Sequence, residues 1–152
     1  MRGPNGEELP QSILFACTQN AVRSPMAAAI MRQRYGRHVY VESVGARAGE
    51  ADPFVALVLD EIGIELKKHR PRSFGEMEDS AFDLVITLSP EAHHKAMELT
   101  RTSAAVVEYW PTFDPTLVEG NREQRLDAYR ACRDALEDRI AARFSVSRAS
   151  DT

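Results

Sequence analysis

The sequence predicts an α/β domain with a four-stranded parallel sheet and helices on both faces. Four short apolar runs alternate along the chain with segments in which apolar residues recur at helical spacing. This alternation is typical of folds in which each helix returns the chain to the same sheet. With 152 residues, the chain is long enough for one domain with a substantial core.

The predicted strands are the apolar runs at residues 13–16, 39–41, 84–88 and 104–109. Because parallel strands place their carboxyl ends at one edge of the sheet, residues that follow the strands are expected to form the functional site. We place the domain at residues 12–144. Flexible segments are expected at residues 1–11 and 145–152, where no periodicity is present.

The first three helices are expected to begin at Ser24-Pro25, Asp52-Pro53 and Ser89-Pro90. In each pair the polar side chain can cap the first turn, and proline suits the first helical position because its missing N–H would be unpaired there. The last helix begins near Asn121, which with Gln124 resembles a capping box. Cys132 lies on the apolar stripe of this helix and is interpreted as a packing residue.

The most informative stretch joins the first strand to the first helix. Cys17 ends the strand, and Arg23 lies six positions later at the start of the helix. Backbone amides in a tight loop and a helix N-terminus attract anions, and arginine can bind two oxygens at once. The predicted oxyanion-binding loop comprises Thr18, Gln19, Asn20, Ala21, Val22, Arg23 and Ser24.

The same positive field favours the thiolate form of Cys17. A thiolate beneath a bound phosphoryl group is a nucleophile directed at phosphorus. The alternative is a buried structural cysteine beside an ordinary surface loop. Ser24-Pro25, the preceding strand and the following helix favour the catalytic interpretation.

The stretch Cys17-Thr18-x-Asn20-x-x-Arg23-Ser24-Pro25 resembles the active-site loop of low-molecular-weight protein tyrosine phosphatases and of the arsenate reductases that share their fold. The similarity continues at residues 42–45, 82–88 and 114–115 and covers about residues 12–144. It implies the strand order 2-1-3-4. It also implies that Asp114 is the general acid and that Asn20 and Ser43 hold the loop. Besides capping the helix, Ser24 is a candidate hydroxyl donor to the Cys17 thiolate.

Three features depart from the family pattern. Gln19 replaces the usual glycine of the loop, where its side chain could constrain the backbone or lean over the entrance. Residues 44–52 and 115–120 contain no aromatic residue, so walls that would sandwich phosphotyrosine are not expected there. The chain from Trp110 onward is more similar to the arsenate reductases, yet Ser89, Met97 and Val22 lie near positions where those relatives carry further cysteines.

Three functions therefore remain open. The leading one is a cysteine-dependent phosphatase that hydrolyses phosphomonoesters through a phospho-cysteine intermediate. Phosphotyrosine is one candidate substrate, and neither a metal nor an organic cofactor is expected. The second is an arsenate reductase that uses an external thiol such as glutathione or a glutaredoxin-like partner. The third is a phosphate-binding or phosphoprotein-binding module with little turnover. Cys17, Arg23 and Asp114 together favour an enzyme.

Composition limits the partners. A net charge of −4 argues against nucleic acid. No apolar run approaches the roughly 20 residues of a membrane helix, and no signal peptide is recognised, so no membrane partner is expected. Two cysteines do not make a disulfide scaffold, and we expect a reducing cytoplasm. The basic run at residues 67–72 is interpreted as a solvated loop, with attraction of an anionic substrate as the alternative.

Overall fold

Four parallel strands form one sheet in the order β2-β1-β3-β4, as predicted. The structure is a computed structural model and describes residues 9–77 and 81–144. The elements in chain order are β1 (Ser12–Cys17), α1 (Arg23–Tyr35), β2 (Tyr40–Gly45), α2 (Pro53–Asp60), β3 (Leu84–Thr87), α3 (Pro90–Leu99), β4 (Val106–Tyr109) and α4 (Arg122–Arg143).

The side chains of β1 alternate between two hydrophobic clusters. Ile13 and Phe15 join the larger cluster, beneath α1, α2 and α4, whereas Leu14 and Ala16 join the smaller one, beneath α3. Because both faces of the sheet are covered, the central strand is apolar at nearly every position. Of the predicted flexible segments, residues 1–8 and 145–152 lie outside the described residues, and Leu9 is buried in the larger cluster.

Three of the four predicted helix starts are confirmed. Asp52 Oδ1 accepts from Phe54 N at 3.0 Å, and Ser89 Oγ accepts from Ala92 N at 3.2 Å. Asn121 and Gln124 form the predicted reciprocal capping box, with N···O distances of 2.9 and 2.8 Å.

The prediction for the start of α1 is wrong. Val22 occupies the N-cap, Arg23 is the first helical residue, and Ser24 lies within the first turn. The first helical hydrogen bond runs from Met26 N to Val22 O at 3.0 Å. The hydroxyl of Ser24 does not cap the helix because it is directed toward Cys17 and β2 instead.

His93 and His94 are adjacent on α3, and only His94 is exposed. The His93 ring is half-buried, stacks on Tyr109 with a centroid distance of 4.7 Å, and lies 2.9 Å from Thr87 Oγ1. Its position above the edge strand β4 accounts for the contact. Across residues 9–77 and 81–144, no helix is both long and apolar enough to cross a membrane.

An ion-pair network joins α4 to the end of α2. Arg130 binds the carboxylate of Glu61 through two nitrogens, and Arg133 Nη1 reaches the same carboxylate at 2.8 Å. The Arg130 guanidinium holds the pKa of Glu61 at about 2, below its usual value of 4.5. A lowered carboxyl pKa stabilises the folded state above pH 4.5, and this stabilisation is lost as the pH falls toward 2.

Replacing Glu61 by glutamine should therefore lower stability at pH 7, and the difference from wild type should narrow only below about pH 4.5. Urea unfolding midpoints measured between pH 7 and pH 3 test this expectation. Glu65→Gln, on an exposed side chain nearby, serves as the control and should show no such dependence. A Glu61→Gln difference that stays constant with pH would contradict the assignment.

Candidate active site

The loop at the end of β1 is held in place by hydrogen bonds that its carbonyl groups accept from a neighbouring segment. Cys17 O, Thr18 O and Gln19 O accept hydrogen bonds of 2.9, 3.0 and 2.8 Å from backbone N–H groups of residues 46–49, which continue the path of β2. In the described part of the chain, the N–H groups of residues 18–22 have no hydrogen-bond acceptor. Held together in one tight loop, these free donors form a cradle that can bind an anion.

Two glycines allow the supporting segment to approach so closely. A Cβ atom at Gly45 would lie 2.6 Å from Asn20 N, and one at Gly49 would lie 2.5 Å from Gln19 Oε1. The Gln19 side chain thus packs over Gly49 while also lining the rim of the pocket. Of the two consequences considered for Gln19, this position at the pocket corresponds to a side chain that leans over the entrance.

Asn20 is the hydrogen-bonding centre of the loop. It adopts a left-handed backbone with φ of 54°, a conformation that asparagine tolerates. Its Nδ2 donates to Ser24 Oγ and Ser43 Oγ, both at 2.9 Å, and its Oδ1 accepts from Arg72 N at 3.0 Å. Its carbonyl oxygen lies 2.8 Å from His69 Nε2. Every polar group of this side chain is used, as burial requires.

His69 and Arg72 belong to the basic run that was interpreted as a solvated loop. That interpretation is wrong for these two residues, since both support the oxyanion loop. Because a carbonyl oxygen can only accept, His69 Nε2 carries a proton. Burial lowers the pKa of His69 below 6.5, with smaller effects in the same direction from Arg32 and Arg72, so the ring is neutral at pH 7.

Cys17 and Ser24 are coupled through one hydroxyl proton. Cys17 Sγ lies 3.0 Å from Ser24 Oγ and 3.4 Å from Ser24 N. Ser24 Oγ already accepts from Asn20 Nδ2, and its single proton can go either to Val44 O at 3.2 Å or to the sulfur. If Cys17 is a thiolate, the sulfur can receive both the hydroxyl proton and the backbone N–H of Ser24.

Arg23 is buried at the start of α1, and its guanidinium faces the cradle. Nη1 donates to Thr112 O at 3.0 Å, and Nη2 donates to Thr18 Oγ1 at 3.3 Å. Thr18 Oγ1 in turn donates to Ser89 Oγ at 3.0 Å. The fork is therefore oriented by backbone and hydroxyl oxygens, as bidentate binding of an oxyanion requires.

Asp114 lies across the pocket, on the loop after β4. Its Oδ1 accepts from Thr116 N at 3.0 Å and from Thr116 Oγ1 at 2.7 Å, so one oxygen is fixed. The other, Oδ2, lies 3.8 Å from Arg23 Nη2. Cys17, Arg23, Asp114 and the loop thus surround one small pocket of about 50 Å³.

Cys132 is buried on α4, as predicted from its apolar stripe. The helix is close to the site, however, because α4 packs against α1 and against the turn Pro115–Leu117 that follows Asp114. Burial raises the pKa of Cys132 to about 12, so the group stays protonated near neutral pH. Within residues 9–77 and 81–144, no group of three or more metal-ligating side chains is present.

The sequence alone did not identify several supporting groups of the site. His69, Arg72, Ser89 and the carbonyl of Thr112 each reach the loop from a distant segment. No local pattern distinguishes them, since the contacts span 49 to 89 positions of the chain. The sequence likewise did not predict that residues 46–49 continue the pairing of β2 with the end of β1.

Comparison with known proteins agrees with this geometry. The protein-arginine-phosphatase of Geobacillus stearothermophilus is 31% identical, with 91% of this chain and 99% of that protein aligned. The arsenate reductase of Halalkalibacterium halodurans is 29% identical, with 84% of this chain and 91% of that protein aligned. The structure of a low molecular weight protein tyrosine phosphatase from T. tengcongensis superposes with a TM-score of 0.71 at 25% identity, covering 86% of this chain and 95% of that one. Residues 12–147 match the family model for low molecular weight phosphotyrosine protein phosphatases, and the chain belongs to this family.

Proposed function

We propose that this protein is a cysteine-dependent phosphatase that hydrolyses phosphomonoesters at Cys17. The observation that carries the proposal is the position of the Cys17 sulfur beside a row of free backbone N–H groups, opposite Arg23 and Asp114. This arrangement provides a nucleophile, a cradle for phosphoryl oxygens and an acid within one pocket.

In the first step, the Cys17 thiolate attacks phosphorus and the bond to the ester oxygen breaks. The loop amides and Arg23 bind the phosphoryl oxygens, whose charge must be stabilised in the transition state. Asp114 Oδ2 faces the pocket and donates a proton to the departing oxygen. The product is an alcohol or phenol together with a phospho-cysteine.

In the second step, water attacks the phosphorus of the phospho-cysteine. Asp114, now a carboxylate, accepts a proton from this water, and inorganic phosphate is released. The leaving group is the Cys17 thiolate. Ser24 turns its hydroxyl proton from Val44 O to the sulfur, which stabilises the thiolate as it forms.

We propose that the substrates are phosphoproteins in the cytoplasm. Relatives of the chain are named as a protein-arginine-phosphatase and as low molecular weight protein-tyrosine-phosphatases. At the pocket itself, Ala21 and Thr116 supply small walls in place of aromatic rings. Phosphotyrosine is therefore one candidate among phosphorylated side chains, without a dedicated aromatic sandwich.

Arsenate reduction is the second candidate, because arsenate is also a tetrahedral oxyanion and one relative is named an arsenate reductase. Reduction requires a second thiolate to attack the thiol-arsenate adduct. Cys132 is buried and has a pKa raised to about 12, so it is poorly suited to that task. We propose that any such activity takes its second thiol from outside. A binding module with little turnover is the third candidate.

Cys17→Ser should abolish turnover of p-nitrophenyl phosphate while phosphate binding is largely retained, because the loop donors and Arg23 remain. Steady-state kinetics and calorimetric titration with phosphate measure the two properties. Cys132→Ser is the matched control and should hydrolyse the ester like wild type. Hydrolysis that survives in Cys17→Ser would refute the proposed nucleophile.

Asp114→Asn keeps the oxygen that accepts from Thr116 but cannot donate a proton as a carboxylic acid. Turnover of esters with poor leaving groups should fall about 10²–10⁴-fold, and that of activated aryl esters much less. The measurement is kcat/KM across a series of leaving groups. Glu119→Gln, on the same exposed segment, should leave the series unchanged. An equal loss for every ester would assign Asp114 a structural role.

Ester hydrolysis should need no thiol beyond that required to keep Cys17 reduced. Arsenate reduction, if present, should depend on added glutathione or glutaredoxin, and thioredoxin with its reductase should not sustain it. Parallel assays with each reductant measure this, with Cys132→Ser alongside. Thioredoxin-dependent turnover that is lost in Cys132→Ser would contradict the role given to Cys132.

A further inference from the structure

We infer that the exposed cations of the segment 67–70 form a docking path for acidic side chains that flank the phosphorylated residue of a protein substrate. The inference rests on the proposed phosphatase function and adds the substrate class that this chain selects. It is carried by three hollows that meet at shared residues, and by the charges that line them.

The three hollows are neighbours that share lining residues between the catalytic pocket and the basic segment. Ala21 lines the catalytic pocket and also a neighbouring hollow of about 280 Å³. Lys67, Lys68 and His69 line that second hollow and also a third one of about 430 Å³, to which Arg70 belongs. A peptide that leaves the pocket past Ala21 therefore meets the basic segment directly.

The available charge along this path is positive. Lys67, Lys68 and Arg70 are exposed, and none forms an ion pair with any of the described residues. This accumulation is notable in a chain whose net charge is −4. His69 adds no charge, because burial lowers its pKa below 6.5.

The acidic groups along the path are already engaged. Asp52 accepts from Phe54 N and from Tyr129 Oη. Glu42 pairs with Arg32 and Arg72, and Glu76 caps the turn at Ser73. Within the part of the chain that the structure describes, these interactions leave the two lysines and Arg70 as the groups free to attract an incoming carboxylate.

The basic segment is also fixed relative to the loop. His69 Nε2 donates to Asn20 O at 2.8 Å. The residues on either side of His69 are therefore held next to the oxyanion loop. An extended peptide advances about 3.3–3.6 Å per residue, so acidic side chains a few positions from the phosphorylated one would reach these cations. Such complementary charge raises the encounter rate and selects among substrates.

The test compares Lys67→Glu/Lys68→Glu with Lys95→Glu/Arg101→Glu, a matched charge reversal on the exposed side of α3 and the turn after it. The probes are two phosphotyrosine peptides that differ only in glutamate or glutamine flanks. Their affinities are measured by fluorescence anisotropy in the Cys17→Ser background, which separates binding from turnover. p-Nitrophenyl phosphate hydrolysis by the same variants with Cys17 intact reports on the catalytic pocket.

The glutamate-flanked peptide should bind the Cys17→Ser protein more tightly than the glutamine-flanked one. Lys67→Glu/Lys68→Glu should remove this preference with about a tenfold loss of affinity, near the low end of the effects of steering charges. The preference should also weaken with added salt. The control variant Lys95→Glu/Arg101→Glu should keep the preference for the glutamate-flanked peptide. In both variants p-nitrophenyl phosphate hydrolysis should change less than about twofold, because salt screens surface charges beyond about 8 Å.

Equal affinity of the wild-type surface for both peptides would overturn the inference. Binding of inorganic tripolyphosphate is measured as well. If the basic segment binds it while the affinity for peptides does not depend on their charge, the segment is a site for small polyanions and the inference is overturned. Failure of the phosphatase proposal would appear separately, as absent p-nitrophenyl phosphate hydrolysis in the protein with Cys17 intact.

Discussion

Three consecutive carbonyl groups after β1 are bound by the segment that follows β2, and the geometry of the site depends on this pairing. Cys17 O, Thr18 O and Gln19 O are bound from outside the loop, and the N–H groups of residues 18–22 have no acceptor among residues 9–77 and 81–144. Free amides held in fixed positions stabilise developing negative charge without reorganising during the reaction. Gly45 is part of this constraint, because a side chain there would collide with the backbone of the loop.

The loop is further held by hydrogen bonds from distant parts of the chain. Asn20 collects contacts from Ser43, His69 and Arg72, and its left-handed backbone persists because these contacts specify it. Arg23 is oriented from the other side by the carbonyl of Thr112. A single buried network therefore sets the positions of the Cys17 sulfur, the loop amides and the Arg23 guanidinium together.

Charge is distributed unevenly over this acidic chain. Ion pairs engage several cations of α4, where Glu61 binds Arg130 and Arg133, whereas the cations at residues 67–70 remain unpaired among the described residues. The small walls of the pocket offer little stacking area for a substrate ring. We therefore propose that substrate selectivity depends more on charge outside the pocket than on stacking against a ring within it.

The sequence by itself determined the fold class, three of the four helix starts, and the pocket residues Cys17, Arg23 and Asp114. These follow from local signals, namely strand and helix periodicity, capping pairs and a short spacing with chemical meaning. Only the tertiary structure decided the roles of His69 and Ser24, the closeness of α4 to the site, and the support from residues 46–49. Those contacts join segments far apart in the chain, and a hydroxyl or imidazole carries no local sign of which partner folding will bring to it.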